Sequence, residues 1–250
     1  MKKRMEPLTL LIIVLVVLYF SIMLFLKATK RFIKLIFKVN LVIMIIIGLG
    51  GIYVYWDATQ LREHFAEDPK LMILVEDSIV LSAVRLGPSS EVPVYIKEPE
   101  LIHYQQIINK GDYSGLLENN HKIFIIELDT LLPLEGIDVG DELLNETDIL
   151  AILKAEDGLR TFAEIGLRSY PEVSEVMIQN TEQSLAEQYG SSAEVKSRLF
   201  GVGLGRSIEK DPNFLIRQYK RDQVIIFPET IVFRIMRLVP EVMLDKVMRI

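Results

Sequence analysis

The stretch LTLLIIVLVVLYFSIMLFLKATKRFIKLIFKVNLVIMIIIGLGGIYVYW, residues 8–56, decides the organisation of the chain because it joins two long apolar runs through a basic segment. The first run, Leu8–Leu26, contains no charged residue, and neither does the second, Val39–Trp56. A helix of about 20 apolar residues crosses the roughly 30 Å hydrocarbon core of a bilayer. We therefore predict two transmembrane spans that form a helical hairpin, with residues 27–38 as the link.

A cleaved signal peptide is the alternative interpretation of the first run, because the tail MKKR carries the positive charge of such a peptide. The run is longer than the apolar part of a signal peptide, and LFLKATKRF at its end lacks a small-residue cleavage pattern. Tyr53, Tyr55 and Trp56 end the second run, where aromatic residues suit a membrane interface. These features favour an integral membrane anchor with two spans.

The link carries five basic residues that share one side of a predicted helix: Lys27, Lys30, Arg31, Lys34 and Lys38. At about 100° per residue they fall within an arc of roughly 100°, and apolar residues fill the remainder. This pattern predicts a basic amphipathic helix that lies on the membrane surface and contacts the anionic headgroups of the lipid bilayer. The alternative is a solvated loop, and the segment has neither Gly nor Pro to mark its turns.

Basic residues give little preference for one orientation of the anchor. The link has five, and the opposite side also has five, namely Lys2, Lys3, Arg4, Arg62 and Lys70. Short loops rich in Lys and Arg stay in the cytoplasm, and the single basic face of the link fits the anionic cytoplasmic leaflet. We therefore favour the link inside the cytoplasm and the rest of the chain outside it.

Charge separates the chain into two parts at residue 56. Residues 1–56 hold eight of the 28 basic residues and one of the 34 acidic residues, so their net charge is about +7. Residues 57–250 hold the other 20 basic and 33 acidic residues, which gives about −13. We predict two domains, a transmembrane anchor at 1–56 and an acidic soluble domain at 57–250. The negative charge argues against nucleic acid as a partner.

Beyond residue 56 the sequence predicts a mixed α+β domain, in which helices cover a sheet on at least one face. Two apolar runs around a polar turn predict a β-hairpin at 71–86, and further strand candidates lie at 92–96, 122–128 and 223–227. Between two of these strands, residues 99–110 predict a helix that Gly111 ends.

The C-terminal half is predicted to be rich in helices. Ser169 with Glu172 and Ser191 with Glu194 have the spacing of a capping box, which marks the start of a helix. Residues 228–250, rich in Ile, Val, Leu and Met, predict a C-terminal helix. We expect this helix to pack on the core or to bind a second copy or another protein partner. Contact with a membrane surface is the alternative.

No motif identifies a catalytic, cofactor-binding or metal-binding residue. GVGLGR at 201–206 has the composition of a phosphate-binding loop, but it follows a helical pattern, so we interpret it as a break between two helices. The acidic stretch at 123–153 predicts a solvated surface, and the three histidines lack the spacing of metal ligands. The chain has no cysteine, which excludes disulfides and thiol chemistry.

These features favour a membrane-tethered interaction or assembly module. One alternative is a membrane-anchored enzyme whose site combines dispersed carboxylates and bases. Another is an oligomeric pore or transport component, since Gly48, Gly50 and Gly51 would permit close helix packing. A pocket with converging polar groups would favour the enzyme, whereas an exposed apolar surface beside the last helix would favour assembly.

Overall fold

The computed structural model describes residues 7–87, 92–118, 120–131, 134, 136–139 and 142–238. Contacts divide the chain into two units, Met1–Trp56 and Asp57–Ile250, which are described separately here. The described part of the second unit is mixed α/β, as the sequence predicts.

The helices, in chain order, are α1 (Pro7–Glu67), α2 (Glu98–Lys110), α3 (Glu146–Lys154), α4 (Gly158–Leu167), α5 (Glu175–Tyr189), α6 (Ser192–Lys210), α7 (Phe214–Lys220) and α8 (Ile231–Leu238). The strands are β1 (Lys70–Glu76), β2 (Ile79–Leu86), β3 (Val94–Tyr95), β4 (Lys122–Glu127), β5 (Ile137–Val139), β6 (Glu142–Leu144) and β7 (Val224–Phe227). Short 3-10 turns occupy Tyr113–Leu116 and Leu128–Leu131.

The first unit is helical over its described residues, because α1 continues without interruption through the basic segment at 27–38. The predicted two-span hairpin is therefore not confirmed. The segment contains neither Gly nor Pro, so nothing in it interrupts helical hydrogen bonding. One 18-residue window, Ile36–Tyr53, has a mean hydropathy of 2.1 and is 0% buried. Judged by length and composition only, this window is the one stretch among the described residues that could cross a membrane.

The second unit is built on a five-stranded sheet in the order β3-β2-β1-β4-β7. In its interior β1 and β4 run parallel, and the other neighbouring pairs are antiparallel. β1 and β4 are nearly continuous apolar runs, because a strand that is covered on both faces of the sheet needs no polar side. β1 and β2 form the predicted hairpin, whose turn residues Asp77 and Ser78 have φ values of 50° and 68°. The strand predicted at 92–96 is limited to β3.

Helices cover both faces of this sheet. On one face α2 buries Leu101, Tyr104 and Ile107 against residues of β1 and β4. On the opposite face α3, α4, α6 and α7 and one side of α8 form a larger core. The predicted end of α2 is confirmed, since Gly111 follows it with a φ of 69°, a conformation that glycine adopts without strain.

One of the two predicted capping boxes is present. Ser191 Oγ accepts from the backbone N–H of Glu194 at 3.3 Å, and the Glu194 carboxylate accepts from the backbone N–H of Ser191 at 2.8 Å. This box starts α6, as the spacing predicts.

The other predicted box, Ser169 with Glu172, is wrong. The cap of α5 is Ser174, whose Oγ accepts from the backbone N–H of Met177 at 3.3 Å. Residues 167–170 instead form the turn that ends α4, in which the backbone N–H of Tyr170 donates to the carbonyl oxygen of Leu167 at 2.9 Å. The chain therefore remains non-helical until Ser174.

The break predicted at 201–206 is also wrong, because these residues lie inside α6. Gly203 has a packing role instead. A Cβ at this position would lie 3.0 Å from Cδ2 of Leu134, which is a tight contact that Leu134 would have to relieve by a shift of a few tenths of an ångström. Glycine at position 203 therefore lets the side chain of Leu134 approach the helix closely, and it does not mark a turn.

Candidate functional site

The five residues predicted to contact lipid headgroups all lie on α1: Lys27, Lys30, Arg31, Lys34 and Lys38. The side chains of Lys27, Lys34 and Lys38 are exposed, whereas those of Lys30 and Arg31 lie outside the described side chains. On this continuous helix, Lys27, Lys34 and Lys38 have the helical spacing of a common face. Contact with anionic headgroups stays a prediction.

One side of α8 packs into the core of the second unit. Val232 and Phe233 are buried, and the Phe233 ring meets the Tyr219 ring edge-on at a centroid distance of 6.0 Å. The Tyr219 hydroxyl donates a hydrogen bond to the carboxylate of Glu229. Burial, together with this carboxylate, raises the pKa of Tyr219 to about 12, so the phenol is neutral at physiological pH. These contacts hold α7 and α8 together.

The other side of α8 exposes an apolar stripe that consists of Ile231, Ile235 and Leu238, here called the α8 stripe. The exposed fractions of these residues are 37%, 38% and 84%. Their spacing of i, i+4 and i+7 places them within an arc of about 60°. Burial of a fully exposed side chain of this kind is worth about 1.5–3 kcal/mol. Ile231 and Ile235 retain about a third of that exposure, and Leu238 retains most of it, so the stripe keeps apolar surface that this unit does not bury by itself.

Two arginines beside the α8 stripe are paired within the unit. Nε of Arg234 lies 2.8 Å from Oε2 of Glu229. Arg237 pairs with Asp222, and its guanidinium lies 5.2 Å from the ring centroid of Tyr219. Because both cations have partners, the stripe is flanked by compensated charge.

The start of α8 is held by Asp57, which belongs to α1. Oδ2 of Asp57 accepts from the backbone N–H of Val232 at 2.9 Å, in the first turn of α8. A side chain at the N-cap normally binds such a group. Thr230 precedes the helix, but its buried Oγ1 has no hydrogen-bond partner among the residues that the structure describes. Asp57 therefore supplies a cap from a distant part of the chain.

A buried lysine completes this junction. Lys122, at the start of β4, is 1% exposed. Its Nζ donates to the carbonyl oxygen of Pro228 at 2.7 Å and lies 5.7 Å from the ring centroid of Phe233. Burial lowers the pKa of Lys122, and the negative charge of Asp57 opposes this shift. Asp57 and Lys122 thus connect α1 and β4 to the segment that leads into α8.

A second candidate site is a pocket of about 370 Å³ between α2 and the residues that precede β4, here called the polar pocket. Its polar lining comprises Arg85, Glu100, His103, Tyr104, Glu118 and Asn120. Nε of Arg85 donates to Oδ1 of Asn120 at 3.1 Å. Nη2 of Arg85 donates to the Tyr104 hydroxyl at 3.1 Å and to Oε2 of Glu100 at 3.2 Å. The Tyr104 hydroxyl donates to the same carboxylate oxygen at 3.2 Å.

Burial is the main cause that raises the pKa of Tyr104, and the positive charge of Arg85 opposes it. The hydroxyl therefore stays protonated at physiological pH and acts as a donor to Glu100. The chemistry of the pocket is that of one permanent cation, a neutral phenol, an amide, an imidazole and two carboxylates.

No sequence motif marks the polar pocket, because its residues are scattered over three separate parts of the chain. One signal was present, namely a charged residue inside an apolar strand. Arg85 in LSAVRL and Lys122 in KIFIIEL are both of this kind. Buried charges require partners, so each position predicts a polar neighbour whose identity only the fold reveals.

The other sequence candidates are dispersed. In the part of the chain that the structure describes, no group of three or more His, Cys, Asp or Glu residues could hold a metal ion. His103 lines the polar pocket, whereas Nδ1 of His121 lies 3.3 Å from Oδ2 of Asp68. The acidic stretch is not solvated throughout, since Asp148 is buried and accepts hydrogen bonds of 2.5 and 2.8 Å from Arg168.

No protein-family model matches the chain, and no curated protein or solved structure matches it. The function is therefore inferred from the α8 stripe, the junction at its start and the polar pocket.

Proposed function

We propose that the protein is a membrane-tethered assembly module, in which α1 supplies the anchor and the α8 stripe binds a second copy of the chain. The observation that carries this proposal is the exposure of Ile231, Ile235 and Leu238 on one side of a helix whose other side is buried. Contiguous exposed apolar surface of this kind marks interaction sites.

A second copy fits the α8 stripe better than a charged partner or a lipid surface. Arg234 and Arg237 are already paired with acids of their own unit, so a headgroup or an acidic partner would have to compete with those acids. An apolar stripe is complementary to an identical stripe across a two-fold axis, where each helix buries the other. Apolar side chains with compensated charges beside them suit such a contact.

Membrane tethering favours the same association. Confinement to a bilayer raises the effective concentration of one copy around another, which strengthens the contact that the α8 stripe makes by itself. The window Ile36–Tyr53 supports one membrane-crossing segment, and the uncharged run at 8–26 supports a second. A hairpin of two spans would require α1 to break near residues 27–38 in a bilayer. The basic segment at 27–38 favours the cytoplasmic side, so we propose that the second unit lies outside the cytoplasm.

The molar mass of the full chain in detergent, measured by light scattering, tests the proposal. We expect a dimer for the unmodified chain and a monomer for Ile235→Glu, because a carboxylate would be buried without a partner at the contact. Val202→Glu is the matched control, since Val202 is an aliphatic residue of α6 with a similar exposed fraction of 41%. A monomeric unmodified chain, or a dimer that survives Ile235→Glu, would contradict the proposal.

A further inference from the structure

We propose that the polar pocket binds a small zwitterion of the α-amino acid type, with its carboxylate on Arg85 and its ammonium group at Glu118. This inference is independent of the proposed assembly through α8. It rests on the separation of donors and acceptors within the pocket, and on the charges of the residues that line it.

The donors lie in the deeper part of the pocket. Tyr104 and Asn120 are buried, and the Arg85 side chain is 25% exposed. The bonds of Arg85 to its neighbours use Nε and Nη2, and among the described residues none accepts from Nη1. Nη1 therefore offers two N–H groups to a ligand, and Nδ2 of Asn120, which donates to the carbonyl oxygen of Leu116, has a second N–H. A carboxylate is the acceptor that a guanidinium binds best.

The acidic groups lie nearer to solvent. The side chain of Glu100 is 47% exposed, and Glu118 is exposed. Glu100 already accepts from Arg85 and Tyr104, whereas Glu118 has no such role in the network. An ammonium group at the mouth of the pocket would therefore meet Glu118 first, with Glu100 close to it.

The charge of the lining selects a ligand that carries both signs. Arg85 contributes one positive charge, and Glu100 and Glu118 contribute two negative charges. The lining is therefore negative by one charge overall and repels a lone anion. A lone cation would leave the free N–H groups of Arg85 and Asn120 without an acceptor. A zwitterion places each of its charges against the opposite one. Because Tyr104 stays neutral, it adds no third negative charge.

The size of the pocket agrees with this class of ligand. A volume of about 370 Å³ is at the small end of ligand sites, which suits a single amino acid with its side chain. Leu116 and Pro99 give the lining an apolar part for that side chain. The imidazole of His103 can donate or accept a hydrogen bond and so does not restrict the ligand to one side-chain type.

The test is binding of each common L-α-amino acid to the full chain in detergent, by calorimetry and by thermal shift. Acetate and methylammonium serve as probes that carry only one of the two charges. We expect at least one amino acid to bind with a Kd below about 1 mM and to raise the Tm, while neither single-charge probe does so. If no amino acid binds, or if acetate or methylammonium binds as tightly, the assignment is wrong.

Two variants locate the binding. Arg85→Lys keeps the positive charge but loses the fork that binds a carboxylate, and we expect it to weaken binding at least tenfold. Glu118→Gln removes the ammonium partner without touching the hydrogen bonds of Arg85, and it should weaken binding about fivefold or more. If Arg85→Lys fails to fold, Glu118→Gln alone decides. Glu209→Gln removes an exposed acid on α6 and is the control. Unchanged affinity in Glu118→Gln would overturn the assignment.

Discussion

Removal of the Asp57 carboxylate should loosen α8 from the second unit. In Asp57→Ala the backbone N–H of Val232 loses its acceptor, which lies 2.9 Å away in the native structure. Thr230 precedes the helix, but its Oγ1 makes no hydrogen bond within the described residues, so no local cap compensates. Lys122, which is buried, also loses the negative charge that favours its protonated form. The substitution therefore removes a helix cap and a charge partner together.

The magnitude follows from these two losses. A lost N-cap hydrogen bond costs about 0.5–2 kcal/mol, and a charged acceptor lies at the upper end of that range. A weakened charge partner for a buried lysine adds about 1 kcal/mol, which gives a total of about 2–3 kcal/mol. For a unit of this size each kcal/mol lowers the Tm by about 2–4 °C, so we expect a decrease of about 5–10 °C. Asp57→Asn keeps an acceptor but loses the charge, and should cost about half as much.

Thermal unfolding of the full chain in detergent measures the loss of stability, and hydrogen exchange shows where it acts. We expect faster amide exchange in α8 and in the preceding residues 228–230, with little change in α2, which packs on the opposite face of the sheet. Glu209→Ala is the control for removal of an exposed carboxylate. If Asp57→Ala unfolds within about 1 °C of this control, or if α8 keeps its protection, Asp57 does not hold the start of α8.

Three further outcomes are expected. Ser174→Ala should lower the free energy of unfolding by about 1 kcal/mol, whereas Ser169→Ala should change it by less than about 0.5 kcal/mol, as measured by urea denaturation. The pKa of Lys122 is lowered from 10.5 in the folded state, so between the folded pKa and 10.5 the unfolded chain binds the extra proton and stability rises with pH. Lys122→Met should reduce this rise in the alkaline range below pH 10.5, and an unchanged rise would show that other groups cause it. A reporter fused after Ile250 should lie outside the cytoplasm, and should move inside when Lys27, Lys30, Arg31, Lys34 and Lys38 are changed to glutamine; a reporter already inside in the unmodified protein would refute the orientation.

Elements whose boundaries depend on local chemistry were predictable from the sequence. The hairpin of β1 and β2, the end of α2 at Gly111 and the start of α6 at Ser191 each follow from residues within a few positions of the boundary. The choice between Ser169 and Ser174 as the cap of α5 was harder, because both precede a helical pattern. The end of α4 decides it, because Ser169 lies in the turn that closes that helix.

Features that depend on distant contacts were not predictable. Leu134 lies close to Gly203 of α6, and no residue near Gly203 in the sequence signals that contact. Likewise, the cap that Asp57 provides to α8 joins residues separated by 175 positions. The α8 stripe was partly predictable, since the apolar composition of 228–250 indicated a helix that binds the core or a second copy. Which residues face outward depends on the packing of Phe233 against Tyr219.

The polar pocket shows the same limit for a functional site. Arg85 was recognisable as a charge within an apolar strand, but Glu100 and Tyr104 come from α2, and Asn120 from the residues before β4. Their convergence requires α2 to lie across the sheet, which is a property of the tertiary fold. Single-sequence patterns describe periodicity and caps, and they do not describe which helix face meets which strand.

Disulfide cross-linking in isolated membranes tests the central claim most directly. The chain has no native cysteine, so a single cysteine introduced by Ile235→Cys reports on one position alone. On mild oxidation we expect Ile235→Cys to form a covalent dimer in the membrane fraction, whereas Val202→Cys, with a similar exposed fraction, stays monomeric. Absence of the Ile235→Cys dimer, an equal yield from Val202→Cys, or recovery of the chain outside the membrane fraction would contradict a membrane-tethered module that assembles through α8.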